Sequence, residues 1–215
     1  MLHANYKISP TWILAVPRCG SSFLVDVLNS TDLFYPKFKE FNLDYDYKEQ
    51  IVKNPPKFIK LQRIFYDRKG FKDEEKDFLL KKHPNIRFIV IQRKNIIEQT
   101  VSHYFCEKTK IWFLKNKEDY KSYLNKKIEI DNQLLLNLYK INLSYFNCWK
   151  KFTKDLNHIE VFYEDLIENK KEFFDKISNF LKIKNIFEIA EKSKVIKMKR
   201  KETEFYYEHL KKLIS

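Results

Sequence analysis

The strongest constraint on the fold is the way short apolar runs alternate with segments of helical periodicity. The runs at residues 12–16 (WILAV), 87–92 (RFIVIQ) and 158–163 (HIEVFY) have the length and composition of buried β-strands. Each of them precedes a segment whose apolar residues recur every three or four positions, which is typical of an amphipathic helix. Strands that alternate with helices form parallel sheets with helices on both faces. We therefore predict an α/β fold with a central parallel sheet.

The remaining segments add elements to this frame. Residues 57–64 (KFIKLQRI) predict a further strand, and residues 73–83 predict a helix. Asn95 is placed to cap a helix that reaches about residue 107. Residues 118–153 predict one or two long helices, because nothing in them breaks the pattern, and residues 169–181 predict an amphipathic helix.

A scarcity of glycine draws attention to one turn. The chain has two glycines, whereas average usage predicts about 15 in a chain of this length. Gly20 lies within residues 17–22 (PRCGSS), between the first predicted strand and a segment of helical spacing at residues 21–29. A glycine retained there indicates that the backbone needs a conformation that other residues rarely adopt. A strand, a tight turn and a helix start are also the local shape of a phosphate-binding unit.

The side chains around Gly20 suit an anion. Arg18 supplies a charged, forked donor that fits phosphate or sulfate, and Ser21 and Ser22 add hydroxyl donors. The turn lacks the second glycine and the lysine of a G-x-x-x-x-G-K-[ST] loop, which disfavours an ATP or GTP hydrolase. The turn therefore predicts an anion site, and the alternative is an ordinary strand–helix connection with Arg18 in solvent.

Composition limits the cellular context and the partners. The 215 residues favour a single domain over residues 1–215, and the net charge of +13 favours polyanionic ligands, although lysines spread along the whole chain also fit a solvated surface. Cys19, Cys106 and Cys148 have neither disulfide nor metal spacing. No signal peptide or apolar run of ~20 residues is recognisable. We expect a cytoplasmic protein without a metal or a specific nucleic-acid partner; a peripheral membrane contact stays open.

The turn and the apolar residues after it resemble the 5'-phosphosulfate loop of sulfotransferases that use 3'-phosphoadenosine-5'-phosphosulfate (PAPS). The similar branch is the bacterial one typified by the trehalose sulfotransferase of glycolipid synthesis, whose loop carries Arg, Gly, and then Ser with Ser or Thr. The resemblance implies a P-loop-like three-layer fold. It also implies that the 5' side of PAPS is bound by Arg18, Cys19, Gly20, Ser21, Ser22 and Phe23.

A second stretch resembles the 3'-phosphate site of the same family. That family places an Arg at a strand end and a Ser one helix later, and residues 91–102 (IQRKNIIEQTVS) provide Arg93 and Ser102. Residues 109–112 (TKIW) resemble the Thr-Gly-x-Trp segment that follows, with a lysine in the place of the glycine. Arg200, in a basic run, is the weakest match and is expected to be a second contact to the 3'-phosphate; a solvated basic run is the alternative.

A third stretch, residues 161–166 (VFYEDL), is similar to the Tyr-Glu-Asp-Leu segment common in sulfotransferases. We interpret Tyr163 and Asp165 as mainly architectural. The family's general base is a Glu shortly after the first helix, and the best candidate here is Glu40, with His83 and His103 as alternatives.

The resemblance as a whole implies a PAPS-dependent sulfotransferase, monomeric or homodimeric, that acts on a hydroxyl of a saccharide or glycolipid. Two other functions remain as alternatives. A P-loop nucleotide-dependent kinase would bind ATP–Mg, which the missing loop lysine disfavours. A non-enzymatic polyanion-binding protein would show no preference for a 3'-phosphorylated nucleotide and a steep dependence on salt.

Overall fold

The computed structural model describes residues 11–31, 58–61, 77, 80–81, 83–112, 117–193 and 200–215, with residues 58–61 described by their backbone. The strands in these residues form one parallel sheet in the order β2-β1-β3-β4. Their bounds are β1 (Thr11–Ala15), β2 (Phe58–Leu61), β3 (Arg87–Gln92) and β4 (His158–Phe162). The predicted α/β fold with a central parallel sheet is confirmed.

Eight complete helices lie in the described part of the chain. Their bounds are α1 (Ser21–Asn29), α2 (Ile96–Thr109), α3 (Lys117–Asn125), α4 (Asn132–Thr153), α5 (Tyr163–Glu168), α6 (Lys170–Leu181), α7 (Ile186–Lys192) and α8 (Thr203–Ile214). Residues 77, 80 and 81, within the helix predicted at 73–83, are also helical. In this described set, no helix combines the length and the apolar character that crossing a membrane requires.

Residues 118–153, predicted as one or two long helices, span α3 and α4 with a non-helical connection at residues 126–131. Asp131 caps α4, because its side chain accepts a hydrogen bond from the N–H of Leu134 at 2.9 Å. The hydroxyl of Tyr104 fixes the connection by donating to the carbonyl of Glu129 at 2.7 Å and accepting from the N–H of Asp131 at 2.9 Å. A cap and a tertiary contact therefore fix the connection and the start of α4.

The sheet separates two apolar cores, because neighbouring residues of a strand point to opposite faces. Ile13 and Ala15 of β1 are buried in a core with residues of α1, α6 and α7. Trp12 and Leu14 are buried in the opposite core, to which α4 contributes Trp149. Helices therefore cover both faces, which gives the predicted three layers.

A third core packs α2 against α3, α4 and α8. Its buried members are Val101, Tyr104, Phe105, Tyr123, Leu135, Leu138, Tyr206 and Leu210. Asn95 caps α2 as predicted, since its side chain accepts from the N–H of Glu98 at 3.0 Å. This core and this cap fix α2, which carries several of the candidate site residues.

Candidate anion-binding site

Three of the predicted segments meet at one edge of the sheet. Residues 16–22 follow β1, residues 93–102 follow β3, and residues 163–165 follow β4. The three strands are parallel neighbours, so their carboxyl ends lie side by side. This is the edge at which open parallel sheets bind ligands.

The turn after β1 has an unusual backbone. Gly20 has φ 82°, and Arg18 has φ 67°, so both lie in the left-handed region. A Cβ on Gly20 would stand 2.9 Å from Cδ2 of Tyr163 and 3.3 Å from Cδ2 of Leu166. Gly20 is therefore required both for its φ and for the close approach of Tyr163. Left-handed backbone at a residue other than glycine is a form of strain that often occurs at functional sites.

The helix that follows this turn presents its start to the same edge. The first intrahelical bond joins the N–H of Leu24 to the carbonyl of Gly20 at 3.2 Å, and Gly20 offers no side-chain cap. The N–H groups of the first helical turn have no intrahelical acceptor, and the helix dipole makes this end partially positive. These properties make residues 21–23 suitable for binding an anion.

Arg18 connects the first predicted segment with the second. Its Nε donates to Oγ of Ser102 at 3.2 Å, and its Nη1 donates to the carbonyl of Trp112 at 2.8 Å. The buried side chain of Gln99 adds a further link by donating from Nε2 to the carbonyl of Pro17 at 2.7 Å. The half-buried Arg18 and Ser102, 84 positions apart in the chain, therefore belong to one site.

Arg93 is 7% exposed and is surrounded by carboxylates. Its Nη2 lies 2.7 Å from Oε2 of Glu98, and its Nε lies 3.7 Å from Oε1 of Glu164. Glu164 also accepts from the backbone N–H groups of Lys94 at 2.9 Å and Asn95 at 3.3 Å. The groups expected to bind a phosphate at this strand end are thus paired with acidic side chains of the protein.

Tyr163 contacts both predicted sites. Its ring lies against Gly20, and the guanidinium of Arg93 lies 4.5 Å from the ring centroid. Asp165, two residues later, forms an exposed ion pair with Lys94. Burial raises the pKa of the Tyr163 hydroxyl, so Tyr163 is neutral at physiological pH. These contacts suit the architectural role that we assign to both residues.

Arg200 has a different environment from the one expected. It is 3% exposed and donates to the carbonyls of Tyr123 and, at 2.7 Å, Lys126. Its guanidinium lies 5.4 Å and 5.3 Å from the ring centroids of Phe105 and Tyr123. Arg200 therefore joins α3 to the start of α8. These bonds give Arg200 a structural role, and the expected contact with the 3'-phosphate stays a prediction.

The general base expected from the resemblance, Glu40, lies outside the described residues. His103 lies within the described residues. The sequence offers little reason to choose it, because adjacent residues of a helix point about 100° apart. In the structure its neighbour Ser102 faces Arg18. Its ring is 1% exposed and packs at 5.5 Å between centroids against Trp112, whose carbonyl Arg18 binds. Trp112 lies in the segment after α2 and contacts both Arg18 and His103. These two contacts place His103 near the site.

The pKa of His103 falls from the ordinary value of 6.5 to about 4, mainly because burial disfavours the charged ring. Glu107 and the Asn142 hydrogen bond raise the pKa, and the charge of Arg18 lowers it. Unfolded chains therefore bind a proton between pH 6.5 and 4 that folded chains do not. We expect the free energy of unfolding to fall by at most about 3 kcal/mol as the pH is lowered through this window.

Urea unfolding at a series of pH values measures this effect. The variant His103→Gln should lose this contribution and retain the contributions of the carboxylates, so its stability should depend less on pH between 6.5 and 4. An identical pH dependence in both proteins would contradict the neutral, buried state of His103.

The arrangement as a whole is a polar site with two cationic centres, Arg18 and Arg93, at the carboxyl edge of the sheet. The described residues contain no group of three or more His, Cys, Asp or Glu side chains that could hold a metal ion. Hydroxyl, guanidinium and backbone N–H donors prevail instead, and they are suited to phosphate and sulfate groups.

Comparison with solved structures identifies a similar fold. The crystal structure of the mouse sulfotransferase SULT7A1 complexed with PAP matches with a TM-score of 0.51 and 16% sequence identity, over 86% of this chain and 63% of the mouse chain. The likeness confirms the predicted P-loop-like, three-layer fold, and this chain spans less than two thirds of the mouse protein. Comparisons of the sequence with protein families and with curated proteins give no match.

Proposed function

We propose that this protein is a sulfotransferase that moves a sulfuryl group from PAPS to the hydroxyl of an acceptor. The observation that carries the proposal is the contact of Arg18 with Ser102, which joins the turn after β1 to the segment that bears Arg93. PAPS has anionic groups at both its 5' and 3' ends, so it fits one site with two cationic centres. The fold shared with a sulfotransferase complexed with PAP supports the same activity.

The proposed reaction is an in-line displacement at sulfur. The bond from sulfur to the 5'-phosphate oxygen breaks as a bond from sulfur to the acceptor oxygen forms. Arg18 and the N–H groups of residues 21–23 stabilise charge on the leaving phosphate and the sulfuryl oxygens. Arg93 and Ser102 bind the 3'-phosphate and so fix the donor in the attack geometry. Cys19 and Phe23 complete the turn that surrounds the 5' side.

The resemblance to the bacterial branch supplies the assignments of the sulfuryl acceptor and of the group that accepts its proton. It supports a saccharide or glycolipid hydroxyl as the acceptor and Glu40 as the proton acceptor. Among the described residues His103 offers a different proton acceptor, for which the argument is given below. The sequence-based expectations of a cytoplasmic location and of a monomer or homodimer stay part of the proposal.

Thermal unfolding with adenosine 3',5'-bisphosphate (PAP), AMP and ATP–Mg tests the donor site. A ligand at 100 times its Kd stabilises the folded state by about 2.7 kcal/mol, which corresponds to about 5–10 °C in Tm for a chain of this size. We expect this shift with PAP, a smaller one with AMP, and none with PAP for Arg18→Ala. Arg87→Ala is the matched control, because Arg87 lies at the opposite edge of the sheet and binds the carbonyls of Phe180 and Leu181.

Three results would contradict the proposal. A larger shift with ATP–Mg than with PAP would favour a kinase. An equal shift with every polyanion, lost in moderate salt, would favour a polyanion-binding protein. A PAP shift in Arg18→Ala as large as that of the wild type would place the nucleotide elsewhere.

A further inference from the structure

A chain of buried hydrogen bonds fixes the protonation pattern of the His103 ring. The hydroxyl of Thr100 donates to the carbonyl of Ile96 at 2.8 Å, so its oxygen can only accept from Nδ2 of Asn142 at 3.0 Å. The amide of Asn142 therefore turns its Oδ1 towards Nδ1 of His103 at 3.1 Å. An amide oxygen only accepts, so the neutral ring carries its hydrogen on Nδ1.

The other ring nitrogen is left as an acceptor without a donor. In the described part of the chain no hydrogen-bond partner reaches Nε2 of His103, which is buried. Oε1 of Glu107 lies 4.0 Å away, and it is also an acceptor while Glu107 is ionised. A buried polar atom without its hydrogen bond destabilises the folded state, and such an atom calls for an explanation. A hydroxyl donor placed beside Nε2 would satisfy it.

This nitrogen lies in the immediate surroundings of Arg18. Trp112 packs its ring against His103 at 5.5 Å between centroids, and its carbonyl accepts from Arg18. The charge of Arg18 also acts on the His103 ring, whose pKa it lowers. The His103 ring and Arg18 therefore share Trp112 as a neighbour and interact electrostatically, which places the ring near the residue that handles the sulfuryl group in the proposed reaction.

We propose that His103, rather than Glu40, removes the proton of the acceptor hydroxyl, an inference that rests on the proposed function. The acceptor O–H donates to Nε2 of His103. As the acceptor oxygen bonds to sulfur and the bond from sulfur to the 5'-phosphate breaks, the proton passes to Nε2. The resulting imidazolium is stabilised by Glu107 on one side and by Oδ1 of Asn142 on the other.

Donor binding prepares His103 for this role. In the protein without a bound donor, the pKa of His103 is about 4; burial lowers it most, and the charge of Arg18 lowers it further. A phosphosulfate on Arg18 offsets that charge, so the pKa of His103 rises when the donor is bound. Glu107 faces His103 from the same helix and acts in the same direction.

Trp112 is an aromatic neighbour of the His103 ring. Its ring stands edge-on to the His103 ring, with 65° between their planes, and its carbonyl accepts from the same guanidinium that the donor needs. A phosphosulfate that binds Arg18 competes with that carbonyl and weakens the hold on Trp112. The acceptor hydroxyl can then take the place of the indole ring beside His103.

Carbethoxylation of histidines by diethyl pyrocarbonate, read by peptide mass spectrometry, tests this exposure without an acceptor. We expect the His103 rate to rise at least tenfold when PAP is bound, while the rate of His158, at the opposite edge of the sheet, stays constant. Trp112→Ala should make His103 reactive without PAP. If PAP raises Tm but leaves His103 as unreactive as before, the inference is overturned while the proposed function stands. If PAP gives no Tm shift, the proposed function fails first.

Consumption of PAPS, with trehalose as the saccharide probe, compares the two proton acceptors. A general base contributes about 10²–10⁴-fold to a rate, so His103→Asn should lose that factor and the acid limb of its pH profile. The His103→Asn variant keeps an N–H that can donate to Asn142. The His103→Gln variant keeps side-chain bulk near the position of Nε2, so a loss seen in both is not purely structural. Both variants should keep the Tm shift caused by PAP. A loss confined to Glu40→Gln, with the pH profile of His103→Asn unchanged, would overturn the assignment.

Discussion

Replacing Gly20 with alanine is expected to lower the free energy of unfolding by about 2–5 kcal/mol and to abolish stabilisation by PAP. Two costs add. The φ of 82° is unfavourable for a residue with a Cβ, and that Cβ would stand 2.9 Å from Cδ2 of Tyr163. Relief of the clash must move either the turn or the Tyr163 ring, and both belong to the site. Urea unfolding and a PAP titration by Tm measure the two effects.

A double-mutant cycle with Tyr163→Leu separates the two costs. The steric part should shrink in Gly20→Ala/Tyr163→Leu, and the backbone part should remain, so the two changes should not be additive. Ser30→Ala, at the exposed end of α1, is the control for a change near the helix that leaves the turn intact. A Gly20→Ala protein with wild-type stability and PAP binding would show that the turn is not under this constraint.

Replacing Arg93 with leucine is expected to weaken PAP binding by about 10–150-fold, since hydrogen bonds to charged groups contribute about 1.5–3 kcal/mol. AMP, which lacks the 3'-phosphate, should lose little, so the preference for PAP over AMP should disappear. The free energy of unfolding should also decrease, because Glu164, whose side chain is 18% exposed, loses its cationic neighbour. Isothermal titration with both nucleotides measures the preference directly.

Two neighbours of Arg93 serve as opposite controls. Lys94→Ala removes an exposed cation next in sequence and should leave the PAP preference unchanged. Glu98→Gln removes the carboxylate that competes for Arg93 and should tighten PAP binding without tightening AMP binding. A preference for PAP that survives in Arg93→Leu would place the 3'-phosphate at another residue.

The strands were predictable because each depends on a local apolar run. Residues 87–92 match β3 at both ends, and β1 lies one residue before the predicted segment. Tyr163 begins α5 instead of ending β4, because its contacts with Gly20 and Arg93 come from the tertiary structure. Helix α7 has no counterpart in the prediction, since its seven residues give too short a pattern.

The candidate site was predictable as a set of residue types, and its connections were not. An anion site at the turn follows from the glycine and the charged donor, which are neighbours in sequence. Nothing in the sequence indicates that Arg18 has a left-handed φ, because residues other than glycine seldom adopt this conformation. The links of His103 to Asn142 and Trp112 depend on how α2 packs, and only the fold provides that information.

The carboxylates around Arg93 give the site an internal set of counter-ions. With Glu98 and Glu164 already in place, a nucleotide phosphate replaces one anion with another instead of meeting a bare cation. Binding there exchanges ion pairs within the protein for ion pairs with the phosphate, so few bound counter-ions are released. Affinity for the donor should therefore respond weakly to ionic strength, and the net charge of +13 is a poor guide to it.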